Sequence, residues 1–536
     1  MRHDRTTRAL RTRMLRMLTI AMLTLGALAP ASAWAASPAD AIEDMLDSWH
    51  VSRARPLVEA MATDRGETPQ VTYFRSRMAF YEQRYDEALT LMDQALANSS
   101  SKPPGWVMLR EEIAAAGEVT RDYVTKTSPK GYFEITYPKG KDEVLLPYAF
   151  DALDEAYEVF GRELGMRPAT PVRVEIYPNS LVLAKVSSLT ETDIKTTGTI
   201  ALCKYNRLMV TSPNALLQGY GWVDTAVHEY VHYVINHKTS ARVPIWMHEG
   251  LAKYLEKTWR GAGEHRLPPS SEKMLRDRLE ADDLVTFEQM HPSMAKLPSA
   301  EDAATAYAEV YTVMEYLHRQ KGEGVFALML DKMSAGLDAK QAYSATLGVD
   351  FGDFERTIWP SYLRSRPKVD FAEAEGFDDG LKFKGDGAKS APTELEQVAK
   401  PEAKQHVQLG LMLQTRGRPK AAAVQYEKAV RLMGDSNPVV QTRLAQSLLE
   451  SGDAKGALDA LAPARESYPT YVTTWLIMGK ASAALGEHAD ARDHLLEAAR
   501  INPFDPEVHA LLAAAYDALG DKDTATRERE YAALVR

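Results

Sequence analysis

Cysteine is almost absent from this 536-residue chain, which contains only one, Cys203. A single thiol cannot form an intrachain disulfide, so the class of disulfide-stapled secreted domains is excluded. Cys203 lies in an apolar stretch and is interpreted as a small buried hydrophobe. Stability must therefore come from packed cores, and the chain is long enough for about two to four domains.

The chain also lacks an excess of basic residues. Its formal net charge is −10, from 64 Lys and Arg against 74 Asp and Glu. Negative charge keeps an acidic protein soluble and repels phosphate groups. This charge therefore argues against nucleic acid or an anionic membrane as the main partner.

Long hydrophobic runs are missing after residue 28. Before it, six arginines lead into an apolar run, residues 17–28, which is too short for an ordinary transmembrane helix. Two sites of the small-x-small type follow, at 31–33 and 33–35. We interpret residues 1–35 as a signal peptide for Sec export. The expected location is periplasmic or secreted in a bacterium, with no stable membrane span after cleavage.

The most specific pattern in the chain is His228-Glu229-Tyr230-Val231-His232. Apolar residues recur at helical spacing from 222 to 235, which predicts a helix here. The two histidines would then lie one turn apart on the same face, where both imidazoles can reach one metal ion. The glutamate between them is a candidate general base that takes a proton from a metal-bound water.

A third ligand has to come from outside this helix. A metzincin would place glycine and histidine three and six residues after His232, but Ile235 and Lys238 occupy these positions, so that class is excluded. Two candidates, His248 and Glu249, stand in a second predicted helix.

Two residues near the candidate ligands are predicted to support them, one through helix packing and one through a hydrogen bond. Gly250 has no side chain, which would let the second helix approach the first closely. Asp224, one turn before His228, is a candidate to hydrogen-bond a ligand imidazole, and capping of the helix start near Gly221 is the alternative.

These residues resemble the gluzincin metallopeptidases. Aminopeptidase N relatives carry the same histidine pentapeptide, followed by Trp-Leu-Asn-Glu-Gly-Phe-Ala, whose glutamate binds zinc. Residues 246–252 here read Trp-Met-His-Glu-Gly-Leu-Ala. The resemblance implies one Zn²⁺ per chain, bound by His228, His232 and Glu249, with His248 as the competing ligand.

A second part of the resemblance concerns a tyrosine that stabilises the transition state in those aminopeptidases. It is followed by Tyr-Leu nine residues later and by glycine at fifteen, and Tyr307 precedes Tyr316-Leu317 and Gly322 at the same offsets. The resemblance implies that Tyr307 stabilises the oxyanion. Tyr311, one turn on, is the second candidate, and a core tyrosine is the alternative for either.

One feature departs from the aminopeptidases. Their Gly-Ala-Met-Glu-Asn strand has a glutamate that holds the free amino group of the substrate, whereas residues 198–202 read Gly-Thr-Ile-Ala-Leu, with no acid. This favours an endopeptidase over an aminopeptidase. The region from about 132 to 363 is more similar to the bacterial peptidase MA-like domains, which often stand beside tetratricopeptide repeats.

The C-terminal part has an internal period. Gly410, Ala445, Gly479 and Ala513 recur at spacings of 35, 34 and 34. Alanines follow each of them after twelve and nineteen residues, and glycines mark the turns at 417, 452, 486 and 520. A period of 34 with small residues at these positions is typical of tetratricopeptide repeats (TPRs), in which paired helices cross closely. By resemblance, the repeats would bind a peptide or a partner protein, and a dimerising solenoid is the alternative.

The predicted fold class is α+β. A zincin-like metallopeptidase domain, with a mixed sheet and active-site helices, is flanked by all-α helical repeats. Alternation predicts strands at 132–137 and 172–177, and a hairpin at 199–211. By resemblance, this hairpin is the sheet edge that receives a substrate backbone by strand addition.

The predicted domains follow one another along the chain. They are a signal peptide at 1–35, a TPR-like helical region at 36–120, the peptidase MA-like domain at 125–365, a flexible linker at 366–402 and a solenoid of about four repeats at 403–536.

The sequence thus leads to one main hypothesis and one rival from another class, and an aminopeptidase or other exo-acting hydrolase with a different substrate anchor is a third option. In the first, an exported zinc metallopeptidase cleaves peptide or protein substrates by a zinc-activated water with Glu229 as base, while the repeats bind a protein partner. In the second, a cell-envelope TPR scaffold has a metal domain that is inactive or binds peptide without cleavage.

Overall fold

The computed structural model describes residues 37–192, 194, 198–261, 266–291, 293–294, 297–369, 377, 380–384, 395–434 and 437–536. The predicted signal peptide, residues 1–35, lies outside the described residues. The chain divides into two compact units, Met1–Ala41 and Ile42–Arg536, and the second contains the site and the repeats. No helix among the described residues is long and apolar enough to cross a membrane.

The N-terminal region is helical. Its helices are α1 (Pro38–Asp47), α2 (Val51–Arg65), α3 (Pro69–Tyr81), α4 (Tyr85–Asn98) and α5 (Pro104–Thr120). Helix α3 begins at a proline, whose missing N–H costs nothing in the first turn, and the side chain of Thr68 caps it by accepting from the N–H of Val71.

A five-stranded mixed sheet lies at the centre of the chain. Its strands are β1 (Tyr123–Thr127), β2 (Phe133–Pro138), β3 (Val172–Tyr177), β4 (Ala201–Lys204) and β5 (Arg207–Thr211). They are ordered β1-β2-β3-β5-β4, with β2, β3 and β5 parallel and the two outer strands antiparallel. The predicted hairpin is confirmed: Tyr205 and Asn206 adopt φ of 54° and 59°, the left-handed pair that a two-residue turn requires. Strand β4 is therefore an edge of the sheet.

Helices make up most of the rest of the central region. They are α6 (Leu146–Glu163), α7 (Ser180–Val186), α8 (Trp222–Thr239), α9 (Ile245–Leu255), α10 (Pro269–Glu280), α11 (Ala300–Lys321), α12 (Val325–Ser334), α13 (Ala339–Leu347) and α14 (Trp359–Ser365). A helical turn at Phe351–Asp353 and a π-turn at Phe354–Ile358 precede α14. Short 3₁₀ turns occur at Lys141–Leu145, Pro213–Ala215 and Thr258–Arg260.

Four helix pairs form the C-terminal region. They are α15 (Pro401–Thr415) with α16 (Pro419–Met433), α17 (Pro438–Glu450) with α18 (Ala454–Ser467), α19 (Val472–Ala484) with α20 (His488–Ile501), and α21 (Pro506–Leu519) with α22 (Lys522–Val535). A Cβ added at Gly410 would lie 2.7 Å from the ring of Tyr426, and one at Gly479 would lie 2.6 Å from Leu495. The small residues of the repeat are therefore required by the close crossing of paired helices, as the period predicted.

Part of the predicted flexible linker is bound to the central region. Phe383 forms a β-bridge with Leu216, and the N–H of Leu217 donates to the carbonyl of Lys382 at 2.9 Å. The N–H of Lys384 donates to the carbonyl of Ala215 at 2.8 Å. Residues 380–384 are thus held by backbone hydrogen bonds, which loop composition alone does not reveal.

Candidate metal centre

Helix α8 presents the two histidines of the pentapeptide on one face. Its opposite face is buried, and the ring of Tyr230 packs against Phe133 of β2 and Phe160 of α6, at centroid distances of 5.0 and 5.7 Å. This packing fixes the rotation of the helix about its axis. His228 and His232 therefore point away from the core, as the helical spacing predicted.

The three residues predicted as ligands converge. Nε2 of His228 lies 3.1 Å from Nε2 of His232 and 3.3 Å from Oε2 of Glu249, and Nε2 of His232 lies 3.7 Å from Oε1 of Glu249. One ligand atom from each residue lies within 4.8 Å of the others. Ligand atoms ~2.0–2.1 Å from a tetrahedral zinc ion are roughly 3.3–3.4 Å apart, so the donor set and its spacing fit zinc.

Helix α9 carries Glu249, and a close contact with α11 sets its position. A Cβ at Gly250 would lie 2.9 Å from the carbonyl oxygen of Val310 and 3.2 Å from Met314. The sequence led us to expect that Gly250 serves the approach of α9 to α8, but its closest contacts are to α11. The same glycine therefore brings Glu249 near the helix that carries Tyr307.

The electrostatics of Glu249 and His232 favour the protonation states that a metal ligand needs. Burial would raise the pKa of Glu249, but His232 and His228 outweigh this effect and lower the pKa to about 2. Burial lowers the pKa of His232 to about 3. The carboxylate is thus ionised and this imidazole neutral at physiological pH.

The pKa of His228 shifts in the opposite direction to that of His232, because two carboxylates flank its ring. Burial would lower its pKa, but hydrogen bonds to Glu249 and Glu256 raise the pKa to about 10. A positive charge is therefore favoured between these carboxylates, and a bound cation would supply it in place of the proton.

The outer nitrogens of both histidines have partners. Nδ1 of His228 lies 3.0 Å from Oε2 of Glu256, and Nδ1 of His232 lies 3.0 Å from Nδ1 of His248. The structure thus places His248 behind His232, outside the converging group. Sequence reasoning missed Glu256, although its position seven residues after Glu249, two turns along α9, could have indicated it.

Asp224 contacts neither imidazole ring in the structure. Its carboxylate accepts hydrogen bonds from Nε1 of Trp259, at 3.2 Å, and from the guanidinium of Arg260, at 3.1 Å. The supporting role that we considered for Asp224 is therefore occupied by Glu256, and Asp224 instead joins α8 to the Thr258–Arg260 turn.

Glu229 lies on the wall of the cleft beside the metal centre and is only 7% exposed. Burial raises the pKa of its carboxyl group to about 7, while the charge of His228 and a hydrogen bond to the backbone of Cys203 oppose the shift. Cys203 belongs to edge strand β4, so the candidate base lies between the converging ligands and the sheet edge.

The two tyrosine candidates lie in different environments. Tyr307 lines the cleft, and its pKa is raised by burial and by the charges of Glu249 and Glu229. Tyr311 belongs to an apolar cluster with Leu267 and Leu275, and its ring lies 5.5 Å from that of Tyr254. Of the two, Tyr307 is therefore the one that the structure brings to the candidate site.

The cleft has a volume of about 850 Å³, which is within the range of ligand sites. Strand β4 and the residues before it form one wall, and α8, α9 and Tyr307 form the others. Trp49, from the turn between α1 and α2, also lines it. The cleft has room for an extended peptide chain. Such a chain would lie beside an edge strand, a buried carboxyl group and the candidate cation site.

Comparison with known protein families finds two matches along the chain. Residues 153–365 match the Peptidase MA superfamily, and residues 448–515 match the tetratricopeptide repeat. The chain therefore combines a peptidase MA-like domain with TPR repeats. The first match includes α8, α9 and α11, which carry every residue of the candidate metal centre.

Several solved structures are similar to part of the chain. A crystal structure of MamA is 21% identical, with a TM-score of 0.24, and the match covers 26% of this chain and 80% of that one. MamA from Desulfovibrio magneticus RS-1 is 18% identical, with a TM-score of 0.24, over 26% and 81%. A thermophilic TPR protein from Thermus thermophilus is 26% identical, with a TM-score of 0.23, over 25% and 74%. No curated protein matches the chain.

Proposed function

We propose that this protein is an exported zinc-dependent metallopeptidase that hydrolyses internal peptide bonds, with Glu229 as general base. The observation that carries the proposal is the convergence of His228, His232 and Glu249 beside a buried glutamate. Two helices that carry two histidines and a glutamate in this arrangement are typical of zinc-dependent hydrolases. The match of residues 153–365 to the Peptidase MA superfamily supports the same reaction class.

Zinc bound by these three residues would act as a Lewis acid and lower the pKa of water toward neutrality. Glu229 takes a proton from the attacking water and passes it to the nitrogen of the leaving amine. Its raised pKa suits both transfers, because a base with a pKa near the working pH can also give the proton back.

Three other residues support this step. The hydroxyl of Tyr307 donates a hydrogen bond to the carbonyl oxygen as negative charge develops on it. Glu256 accepts from Nδ1–H of His228 and holds Nε2 toward the metal position. His248 accepts from Nδ1–H of His232 through its own Nδ1, so the proton of the His248 ring lies on its Nε2.

The wall of the cleft supports the endopeptidase part of the proposal. The stretch 198–204, which ends in β4, contains no acidic residue that could hold a free amino terminus. An extended substrate would pair with the outer edge of β4 through backbone hydrogen bonds. The repeats are proposed to bind a protein partner, and residues 1–35 to direct export.

The test combines metal content with cleavage. We would measure zinc in the purified protein by mass spectrometry and digest a mixed peptide library with the wild-type chain, with Glu229→Gln and with Glu427→Gln, a matched control on helix α16. We expect one zinc per chain in all three, and cleavage at internal bonds that is lost only in Glu229→Gln. Full activity of Glu229→Gln, or no zinc in protein purified without chelator, would reject the proposal. Cleavage only from free amino termini would reject the endopeptidase part.

A further inference from the structure

A second cavity, of about 360 Å³, adjoins the metal cleft. Ile200, Thr225, Lys253 and Glu256 line both spaces. Since Oε2 of Glu256 lies 3.0 Å from Nδ1 of His228, a single side chain separates this cavity from the metal centre. A substrate that lies along β4 and passes Ile200 would therefore place one of its side chains at the mouth of the cavity.

Three regions of the chain contribute aromatic side chains to the wall of this cavity. The loop before α8 contributes Tyr220, the linker contributes Phe377, and the turn between the second and third helix pairs of the repeats contributes Tyr468 and Tyr471. The ring of Phe377 lies 4.8 Å from that of Tyr468 and 5.5 Å from that of Tyr471. These aromatic rings thus form one part of the wall, and polar and charged side chains form another part.

The repeats are attached firmly enough to form a wall. The N–H of Tyr220 donates to the carbonyl of Ile501 at 3.1 Å, and a Cβ at Gly219 would lie 2.3 Å from the same oxygen. Arg260 bridges Asp224 of α8 and Glu497 of α20, with 2.6 Å between Nη1 and the Glu497 carboxylate. The position of the repeats relative to the metal centre is therefore set by direct contacts.

The charges around the cavity limit which substrate side chains can bind in it. Nζ of Lys253 lies 2.8 Å from Oε1 of Glu256, and the carboxylate of Asp224 is paired with Arg260, so both acids have cationic partners. Lys257 and Lys382 also line the cavity. Among the described residues that line the cavity, a basic side chain would meet these lysines and only acids that already have cationic partners, whereas a large apolar side chain would be buried against aromatic rings.

We propose that this cavity is a specificity subsite of the cleft, that it takes a large apolar or aromatic side chain of the substrate, and that Tyr468 and Tyr471 of the repeats form its selecting wall. The inference rests on the proposed peptidase function. It gives the repeats a direct part in substrate selection, in addition to any partner that they bind elsewhere.

The test measures binding apart from turnover. The full chain carrying Glu229→Gln is immobilised and exposed to N-acetylated, C-amidated decapeptide libraries in which one position is fixed as Phe, Ala, Lys or Glu. Retention is measured by mass spectrometry. We expect that Phe at one position increases retention at least about tenfold over Ala, because a ring is removed from water, and that Lys there is rejected.

Two further variants in the same background address the wall. Ser467→Trp places an indole in the cavity, and Tyr471→Ala removes one ring; both are expected to abolish the preference for Phe. Glu466→Trp places the same indole on an exposed residue that does not line the cavity, and should leave the preference intact. Circular dichroism would verify that each variant is folded.

The outcomes separate the subsite from the peptidase. No position that prefers Phe, a preference for Glu, or a preference unchanged by both Ser467→Trp and Tyr471→Ala would overturn the subsite. The wild-type chain is digested with the same libraries in parallel. Absence of cleavage together with a Phe preference that Ser467→Trp removes would reject the peptidase and retain the cavity as a peptide-binding site.

Discussion

Nδ1 of His228 lies 3.0 Å from Oε2 of Glu256, which is itself paired with Lys253. Glu256 is buried at the end of the helix that also carries Glu249. A single helix thus supplies one candidate metal ligand, and at its end the carboxylate that contacts another candidate ligand. Partners of this kind set the tautomer and direction of a ligand imidazole.

The first prediction concerns this carboxylate. Glu256→Ala removes the acceptor from His228 and should lower zinc affinity ~10–100-fold, the usual effect of losing such a partner. Glu256→Gln retains an amide oxygen at the same place and should lose less. Competition with a chromophoric chelator measures both. Equal affinity in wild type and Glu256→Ala would contradict the role assigned to this residue.

The second prediction separates the two tyrosines. Tyr307→Phe removes a hydroxyl group from the cleft and should lower kcat by ~10²–10³-fold, with little change in KM, because the hydrogen bond strengthens only in the transition state. Tyr311→Phe, one turn along the same helix, is the matched control and should leave kcat close to that of wild type. The reverse pattern would assign the oxyanion role to Tyr311.

The third prediction concerns pH and stability. Glu309 of α11 is fully buried, and burial raises the pKa of its carboxyl group to about 8, although Oε1 accepts from the N–H of Val285 at 2.9 Å. The folded state holds this proton more tightly than the unfolded state, so the stabilisation is complete at low pH. It should decrease as pH rises from about 4.5 toward 8, by up to ~1.4 kcal/mol per pH unit.

Glu309→Gln keeps the acceptor for Val285 and removes the titration. The midpoint of thermal unfolding, measured from pH 5 to pH 8.5, should therefore vary less with pH in the variant, and the variant should be the more stable protein at pH 8.5. Parallel pH profiles for the two proteins would show that Glu309 does not titrate in this range.

The fourth prediction tests the contact between the repeats and the central region. Gly219 and Gly131 both have a φ of +73°, so alanine is strained at either position. Only at Gly219 would the added Cβ meet another segment, 2.3 Å from the carbonyl of Ile501, since nothing lies within 4 Å at Gly131. Gly219→Ala should destabilise the protein by roughly 1–3 kcal/mol more than Gly131→Ala in urea unfolding. Equal losses would mean that the loop and the repeats do not depend on this contact.

Local patterns predicted the elements of the site well. The spacing of His228 and His232 and the apolar stripe around them predicted α8, and alternation predicted β2 and β3. Small residues at a period of 34 predicted the helix pairs, because close crossing leaves no room for a larger side chain at Gly410 or Gly479. These features depend on neighbours within one element or one repeat.

The remaining features depend on contacts between distant segments. Sequence reasoning considered Asp224 as the support of an imidazole, but the turn at Thr258–Arg260 takes its carboxylate, and Glu256 reaches His228 instead. It assigned the space made by Gly250 to α8, whereas α11 occupies it.

The amino-acid sequence alone identified the candidate site residues and the repeats. They are two histidines one turn apart, a glutamate between them, an acid in a second helix and a repeated helix pair. Periodicity decides these features, because a helix repeats every 3.6 residues regardless of what surrounds it. Folding of the whole chain was needed to show that Tyr307 faces the cleft and that Tyr468 of the repeats lines the cavity beside it. The reason is that such neighbours are chosen by packing between segments that are far apart in the chain, and no local spacing encodes that choice.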